Sequence, residues 1–398
     1  MVAKPRSLLV SIAALALTIT AGGPALAGYR AAAPDPVVQE SLLRVLDIAA
    51  TGKMGGIGPV VAVGWRQAAK PGEMFVAYSI DGGKSYTKRN GSMRQFRVAG
   101  DGTRGLSLDV CSRRVWAASV ANFPGDAAAD RDVLMTSRTV SGGAAQAFMT
   151  DAATTRKVTA VALSCVGNKL LAIAWLEQKG GKSTAKLMLR TPEPLGEPAK
   201  FRKVYGLGEA NLKGGISVDA STDAVHVAWT SGPTRDLRYQ RFLVASGPDI
   251  GVSRQRSVKL DSADIRGPQV AARGKGAVVV YSDAGKLRAR VSQNNGGSFA
   301  KPQLISRAGS RAEPSAVHSA DISGDRIVAE VTTNRAGEQT PQRVESKDAG
   351  ASWSARSFGN VGARVGALRK TSPTSSLLTE AWQNNVPGTD TIRAQFEN

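Results

Sequence analysis

The 398-residue chain is poor in the residue types that build most metal and nucleophilic sites. It has two cysteines, Cys111 and Cys165, and two histidines, His226 and His318. It contains no Cys-x-x-Cys or His-Glu-x-x-His pattern, so we expect no metal site. Gly-x-Ser-x-Gly and Walker-type loops are also missing from the sequence, so we expect no cofactor and no catalytic residue of those classes.

Long hydrophobic runs are missing as well, except near the first residue. Lys4 and Arg6 precede an apolar stretch at 7–20, and Ala25 and Ala27 are the small residues that a signal peptidase requires. A stretch of about 14 residues is short for spanning roughly 30 Å of hydrocarbon. We therefore predict a signal peptide at 1–27, a flexible lead-in at 28–39 and a mature chain without a transmembrane segment. The protein would be exported to the periplasm or the exterior of a bacterium.

A short apolar segment that ends in an aromatic residue, or in a substitute for one, recurs seven times. Consecutive copies end 50 to 55 residues apart. Each copy lies among other short strand-like segments, and long helical periodicity is absent from the sequence. The copies occupy 60–65, 115–120, 170–175, 225–229, 278–281, 327–331 and 377–382.

Four short strands in each repeat are typical of an all-β propeller. The second strand would be buried on both faces between neighbouring blades, which explains its continuous apolar character. We predict a single domain at 40–398 with seven four-stranded blades, and six blades are the alternative. Because the last repeat ends before its fourth strand, we expect the N-terminal segment 41–46 to pair with the last strand and close the ring.

The two cysteines lie one repeat apart, at matching places in the second and third blades. Neighbouring inner strands can bring two Cα atoms within the roughly 4.4–6.8 Å that a disulfide spans. Exported proteins favour such bonds. We therefore predict a disulfide between Cys111 and Cys165, with buried free thiols as the alternative.

Three turns share the pattern Ser-x-Asp-x-Gly-x-Ser-aromatic, and one of them has Asn in the place of Asp. The short Ser and Asp side chains can bond to backbone amides of their own turn, and Gly takes the positive φ angle that a hairpin needs. The residues that define the pattern are Ser79, Asp81, Gly83 and Tyr86, then Ser292, Asn294, Gly296 and Phe299, then Ser346, Asp348, Gly350 and Trp353.

These turns resemble the Asp-box, or bacterial neuraminidase repeat, of sialidases and other propellers. The resemblance implies a sialidase-like β-propeller in which the box residues have a structural role at the blade periphery. Sialidases use three arginines, a Tyr paired with Glu and an Asp acid/base. This sequence has no Arg-Ile-Pro motif, and its last tyrosine, Tyr281, stands where other repeats have Trp in a second strand. No catalytic residue can be carried over, so the resemblance is to a non-catalytic member.

Polar residues interrupt some of the apolar second strands. We expect His226 to be a hydrogen-bonded core histidine and Tyr281 to be a core aromatic. Glu330 and Glu380 could face the central channel or a blade surface, and a paired surface acid is the interpretation we favour.

Basic residues outnumber acidic ones, with 52 Lys and Arg against 32 Asp and Glu. This excess favours anionic partners, but no aromatics are interleaved with it as a base-stacking platform requires. We expect a monomeric, non-catalytic recognition module for a protein or for an anionic polymer or glycan, without specific nucleic acid recognition. The alternative is a sialidase-like glycoside hydrolase with a divergent active site. The densest basic groups are Lys84, Lys88, Arg89, Arg94 and Arg97, and then Lys286, Arg288 and Arg290.

Overall fold

The computed structural model contains strands and turns, and no helix, in the residues that it describes. Those residues are 38–40, 43–51, 59–67, 70–100 without 87, 89 and 91, 105–122, 131–149, 157–194, 198–245, 250–305 without 263, 311–335, 338–357, 364–370, 378–386 and 389–396.

The described strands form seven antiparallel sheets, which we number as blades 1 to 7 along the chain. A short strand, β1 (Val38–Glu40), comes first and belongs to the last blade. Blade 1 contains β2 (Leu43–Thr51), β3 (Val60–Gln67), β4 (Lys70–Ser79) and β5 (Gln95–Ala99). Blade 2 contains β6 (Leu106–Cys111), β7 (Arg114–Ala121), β8 (Asp132–Thr139) and β9 (Gln146–Met149). Blade 3 contains β10 (Lys157–Val166), β11 (Leu170–Lys179), β12 (Lys182–Arg190) and β13 (Arg202–Glu209).

The remaining blades follow the same order, and blade 4 carries one strand more. Blade 4 contains β14 (Ile216–Ala220), β15 (Ala224–Ser231), β16 (Asp236–Val244), β17 (Val252–Arg254) and β18 (Val258–Asp261). Blade 5 contains β19 (Ile265–Arg273), β20 (Gly276–Asp283), β21 (Lys286–Ser292) and β22 (Gln303–Leu304). Blade 6 contains β23 (Arg311–Ser323), β24 (Arg326–Arg335), β25 (Glu338–Ser346) and β26 (Ser354–Ser357). Blade 7 contains β27 (Arg364–Lys370), β28 (Leu378–Val386), β29 (Thr389–Phe396) and β1.

The sheets are arranged in a ring. The first strand of each blade contacts the first strand of the next blade, and β27 of blade 7 contacts β2 of blade 1. The second strand therefore lies between two neighbouring sheets, and β7, β15 and β20 are buried along almost their whole length. This is the environment that the continuous apolar segments predicted.

The ring closes through β1, which pairs with β29 in the register Val38 to Ile392 and Glu40 to Asp390. The prediction that 41–46 would close the ring was wrong, because β2 begins at Leu43 and is the inner strand of blade 1. The lead-in boundary at residue 39 was also wrong, since β1 includes Val38 and Gln39. The inner strand needs the long apolar segment, and a three-residue strand suffices at the outer edge.

Aspartates of the inner strands link one blade to the next. In three places a carboxylate Oδ2 accepts a backbone N–H from the inner strand of the following blade. An inner strand has no sheet partner on its channel side, so these carboxylates satisfy amide groups that would otherwise lack an acceptor. The pairs are Asp47 with Leu108 (2.6 Å), Asp109 with Cys165 (2.7 Å) and Asp219 with Ala272 (2.9 Å).

The predicted disulfide is confirmed. Cys111 at the end of β6 is bonded to Cys165 near the end of β10, with a Cα separation of 6.2 Å. It joins blades 2 and 3 beside the hydrogen bond between Asp109 and the Cys165 amide. The described residues contain no helix that could cross a membrane.

Candidate anion-binding groove

The three predicted Ser-x-Asp turns have the same internal hydrogen bonds. In each turn the Ser Oγ accepts the Gly N–H, and Oδ1 of the Asp or Asn accepts the N–H of the residue four positions later. Two consecutive residues, the second of them the Gly, have positive φ angles. The Oγ contacts are Ser79 with Gly83 (2.9 Å), Ser292 with Gly296 (2.9 Å) and Ser346 with Gly350 (2.8 Å). The Oδ1 contacts are Asp81 with Ser85 (3.0 Å), Asn294 with Ser298 (2.9 Å) and Asp348 with Ser352 (2.9 Å).

The aromatic residues that end these turns are packing residues. Tyr86 is buried, Phe299 lies edge-on against Tyr239 of the preceding blade at 4.8 Å, and Trp353 Nε1 donates to Gln303 Oε1 at 2.8 Å. In each turn the Ser and the Asp or Asn are therefore hydrogen-bonded within the turn, and the aromatic ring packs against the fold.

The polar residues of the second strands are also buried and bonded. Tyr281 has no exposed surface, and its hydroxyl donates to Asp261 Oδ2 at 2.5 Å. His226 is equally buried, with Nδ1 2.7 Å from the Tyr239 hydroxyl. Burial, together with the nearby Arg241 charge, lowers the pKa of His226 to about 4, so the ring is neutral at pH 7.

Glu330 differs from the prediction of a paired surface acid. Its carboxylate is paired with Arg343 at 3.3 Å, but both side chains are almost completely buried. Burial raises the pKa of Glu330 to about 8, and Arg343 opposes that rise. Glu330 and Arg343 are direct cross-strand neighbours in β24 and β25, so both side chains lie on the same buried face of the blade 6 sheet. The side chain of Glu380 lies outside the described residues.

Three cations of the two basic groups that are dense in the sequence have partners within the fold. Arg97 is paired with Glu73, and Arg288 with Asp283 at 2.6 Å. Arg290 donates to the Ala300 carbonyl. Arg89 lies outside the described residues.

A different set of cations lies where the outer strands of blades 3 and 4 meet. Arg254 of β17 crosses from blade 4 to blade 3, where Nη2 donates to the Gly206 carbonyl of β13 at 2.7 Å. The same nitrogen is 3.3 Å from Gln240 Oε1 of β16. Below this contact the two blades share an apolar cluster that includes Tyr205, Leu207 and Phe242. We call the surface between β13 and the β17–β18 edge the blade 3–4 groove.

Positive charge in this groove exceeds negative charge. β13 and the segment 252–261 contain five Lys and Arg and two acids, Glu209 and Asp261, each at the last residue of its strand, and Asp261 Oδ2 accepts the Tyr281 hydroxyl. Among the described residues, Lys203, Arg254 and Arg256 form no ion pair, and the two hydrogen bonds of Arg254 go to uncharged oxygens. Lys259, at the edge of the groove, is paired with Asp236. The groove therefore presents cations whose charge is available to an anion.

A tyrosine hydroxyl lies at the bottom of the groove. Tyr205 is 8% exposed, and its hydroxyl oxygen is buried without a hydrogen-bond partner. Lys203 Nζ lies 5.2 Å from the centre of its ring, and the Phe242 ring lies 4.9 Å away. Burial raises the pKa of the Tyr205 hydroxyl, and the nearby Arg254 charge opposes the rise.

The groove was missed in the sequence because its cations belong to two different repeats. Outer strands of adjacent blades lie about one repeat apart in the sequence. Cations near 203 and near 256 therefore become neighbours only when the two blades pack together in the folded chain. The excess of Lys and Arg over acids in both segments was the signal that could have found it.

No protein-family model matches the chain, and no curated protein matches it. Among solved structures, a prolyl endopeptidase is 13% identical with a TM-score of 0.49, and the chain spans 47% of that protein's length. The β-propeller domain of the Trilobed protease from Pyrococcus furiosus, described as having an open velcro topology, is 7% identical with a TM-score of 0.51, with 89% of this chain and 95% of that chain covered. The six-bladed fungal lectin from Aleuria aurantia is 14% identical with a TM-score of 0.46, with 79% and 95% covered.

At these identities the likeness concerns the fold alone. Together with the ring of antiparallel sheets, it shows that the chain is an all-β protein with the β-propeller fold.

Proposed function

We propose that the protein is an exported, non-catalytic β-propeller that binds an anionic polymer through the blade 3–4 groove. The observation that carries the proposal is the set of groove cations, Lys203, Arg254 and Arg256, that have no carboxylate partner among the described residues. Unbalanced charges at a surface attract polyanions, and their separation along an extended edge, about 7 Å for alternate residues, suits a polymer with regularly spaced charges.

Two further observations support the export of the protein and the structural role of its Ser-x-Asp turns. A disulfide persists in oxidising compartments, which supports export of a chain that starts with a signal-like segment. The shared hydrogen bonds of the three Ser-x-Asp turns support the resemblance to Asp-box propellers and a structural role for those turns. The same resemblance gives no support to hydrolysis, because Tyr281 is buried and bonded to Asp261.

The test is retention on an immobilised anionic polymer, dextran sulfate, in a salt gradient. We expect the wild type to be retained on the resin. The triple variant K203Q/R254Q/R256Q should elute at clearly lower salt, because it makes fewer ionic contacts with the polymer and less salt is needed to screen them. The matched control is K84Q/R97Q/K301Q, which removes the same charge from exposed positions on blades 1 and 5.

Two results would contradict the proposal. If the wild type elutes without salt dependence, the protein is not a polyanion-binding module. If both triple variants shift equally, binding follows net charge and the groove is not the site.

A further inference from the structure

The Tyr205 hydroxyl is a hydrogen-bonding group that the fold leaves unused. A buried tyrosine hydroxyl usually has a partner, since leaving one without a partner destabilises the protein. Its ring is packed between Phe242 and the Lys203 ammonium group, so its position is fixed by the fold. No described residue is a partner of the hydroxyl, which leaves it to water or to a ligand.

Arg254 is held in a fixed orientation at the Gly206 carbonyl, which belongs to the residue after Tyr205 in β13. Its Nη2 is bonded to the carbonyl of Gly206 and to Gln240 Oε1, one from each blade. Its Nε and Nη1 have no acceptor among the described residues of the groove. A guanidinium anchored on one side offers its other donors to a carboxylate or phosphate oxygen.

From these contacts we infer that Tyr205 and Arg254 form a subsite for one oxyanion of an acidic polysaccharide. The Tyr205 hydroxyl and the Arg254 guanidinium each donate to the oxyanion, and the exposed side chains of Lys203 and Arg256 add positive charge to the same two segments. This inference rests on the proposed function and specifies the ligand of the same groove.

The aromatic surroundings favour a polysaccharide over a single-stranded nucleic acid. Base recognition uses exposed ring faces, but the Tyr205 ring is 92% buried between Lys203 and Phe242. The remaining exposed apolar surface on this edge is aliphatic, with Val258 42% exposed. Such a surface can contact the C–H groups of a sugar and offers no stacking platform.

The experiment measures binding of hexagalacturonate by calorimetry at low salt, in the full chain with its disulfide intact. We expect Y205F to bind about tenfold more weakly than wild type, since one hydrogen bond to a charged group is lost. R254Q should lose at least as much, and R97Q should not differ from wild type. A second arm replaces the ligand with a phosphorylated dextran, so that the two arms identify the oxyanion as carboxylate or phosphate.

The stability of Y205F separates loss of binding from misfolding. Removing a hydroxyl that has no partner should leave the unfolding midpoint unchanged or raise it, so weaker binding would accompany equal or greater stability. Tyr86→Phe is the matched control, because the Tyr86 hydroxyl is also buried without a partner but lies in a turn of blade 1. Y86F should affect stability in the same direction and bind normally.

The inference is overturned if Y205F binds both oligosaccharides as tightly as wild type. In that case its retention on dextran sulfate, which depends on charge and not on the hydroxyl, would still support the proposed function. If the wild type is not retained on that resin at all, the proposed function fails first.

Discussion

Asp219 offers the sharpest test of how the ring is held together, because its carboxylate links three blades. It lies on β14 of blade 4, where Oδ2 accepts the Ala272 N–H from blade 5 at 2.9 Å. Oδ1 accepts the Ser164 hydroxyl from blade 3 at 3.0 Å. Ala272 and Ser164 are both buried, so neither donor has water as a ready substitute. Removing the carboxylate should therefore loosen two boundaries at once.

The expected loss of stability follows from those two contacts. Asp219→Ala removes two hydrogen bonds to a charged acceptor and leaves a buried amide unsatisfied, so we expect the free energy of unfolding to fall by about 3–4 kcal/mol. Asp219→Asn should cost only about 1 kcal/mol, because the amide oxygen still accepts the Ala272 N–H and the amide nitrogen can donate to the Ser164 hydroxyl.

The assay is urea unfolding followed by tryptophan fluorescence, with the disulfide intact. The control is Asp264→Ala, which removes a 45% exposed carboxylate paired with Arg235 and Arg266 and should cost less than about 1 kcal/mol. If Asp219→Ala lowers the free energy of unfolding by no more than Asp264→Ala does, the Asp219 carboxylate does not stabilise the inner ring and the reasoning is refuted.

Three further changes test other parts of the fold. The pKa of His226 is about 4 in the folded chain and about 6.5 in the unfolded chain, so the unfolded chain binds the proton first as the pH falls. The free energy of unfolding should therefore fall by about 3 kcal/mol between pH 6.5 and pH 4. Urea unfolding of H226Q should not show that decrease. Replacing Cys111 and Cys165 with Ala should cost up to about 4 kcal/mol for the 54-residue separation, and a reductant should lower the wild-type melting temperature but not that of the variant. Ser346→Ala removes the acceptor of the Gly350 amide and should cost about 1.5 kcal/mol in the same urea assay, and an unchanged midpoint would show that the turn does not depend on it.

The parts of the fold that could be predicted are those in which one repeat carries its own information. The second strands are continuous and apolar because each is covered on both faces, and this pattern recurs at a fixed period. The turn at Ser79 is also local, since Ser79 bonds to Gly83 and Asp81 bonds to Ser85 within the same hairpin. Such contacts need no knowledge of the neighbouring blade.

The parts that could not be predicted depend on two repeats at once. A single Asp219 in a short strand gives no sign that its partners are Ser164 and Ala272, each more than fifty residues away. The closing strand β1 pairs only three residues, too few for a recognisable alternation. Glu330 is a different case, because its partner Arg343 lies within the same repeat, on the adjacent strand of its own blade.

The candidate site shows why one unusual atom is not sufficient evidence for binding. The hydroxyls of Tyr86 and Tyr205 are both buried without a partner, yet the nearby charge at Tyr86 is the carboxylate of Asp81, which further raises the pKa of its hydroxyl. At Tyr205 the nearby charge is the Arg254 guanidinium, which has the opposite effect on the hydroxyl pKa. An incoming anion would be repelled at the first position and attracted at the second. The sign of the neighbouring charge is therefore the reason why we propose a ligand contact for the Tyr205 hydroxyl and none for the Tyr86 hydroxyl.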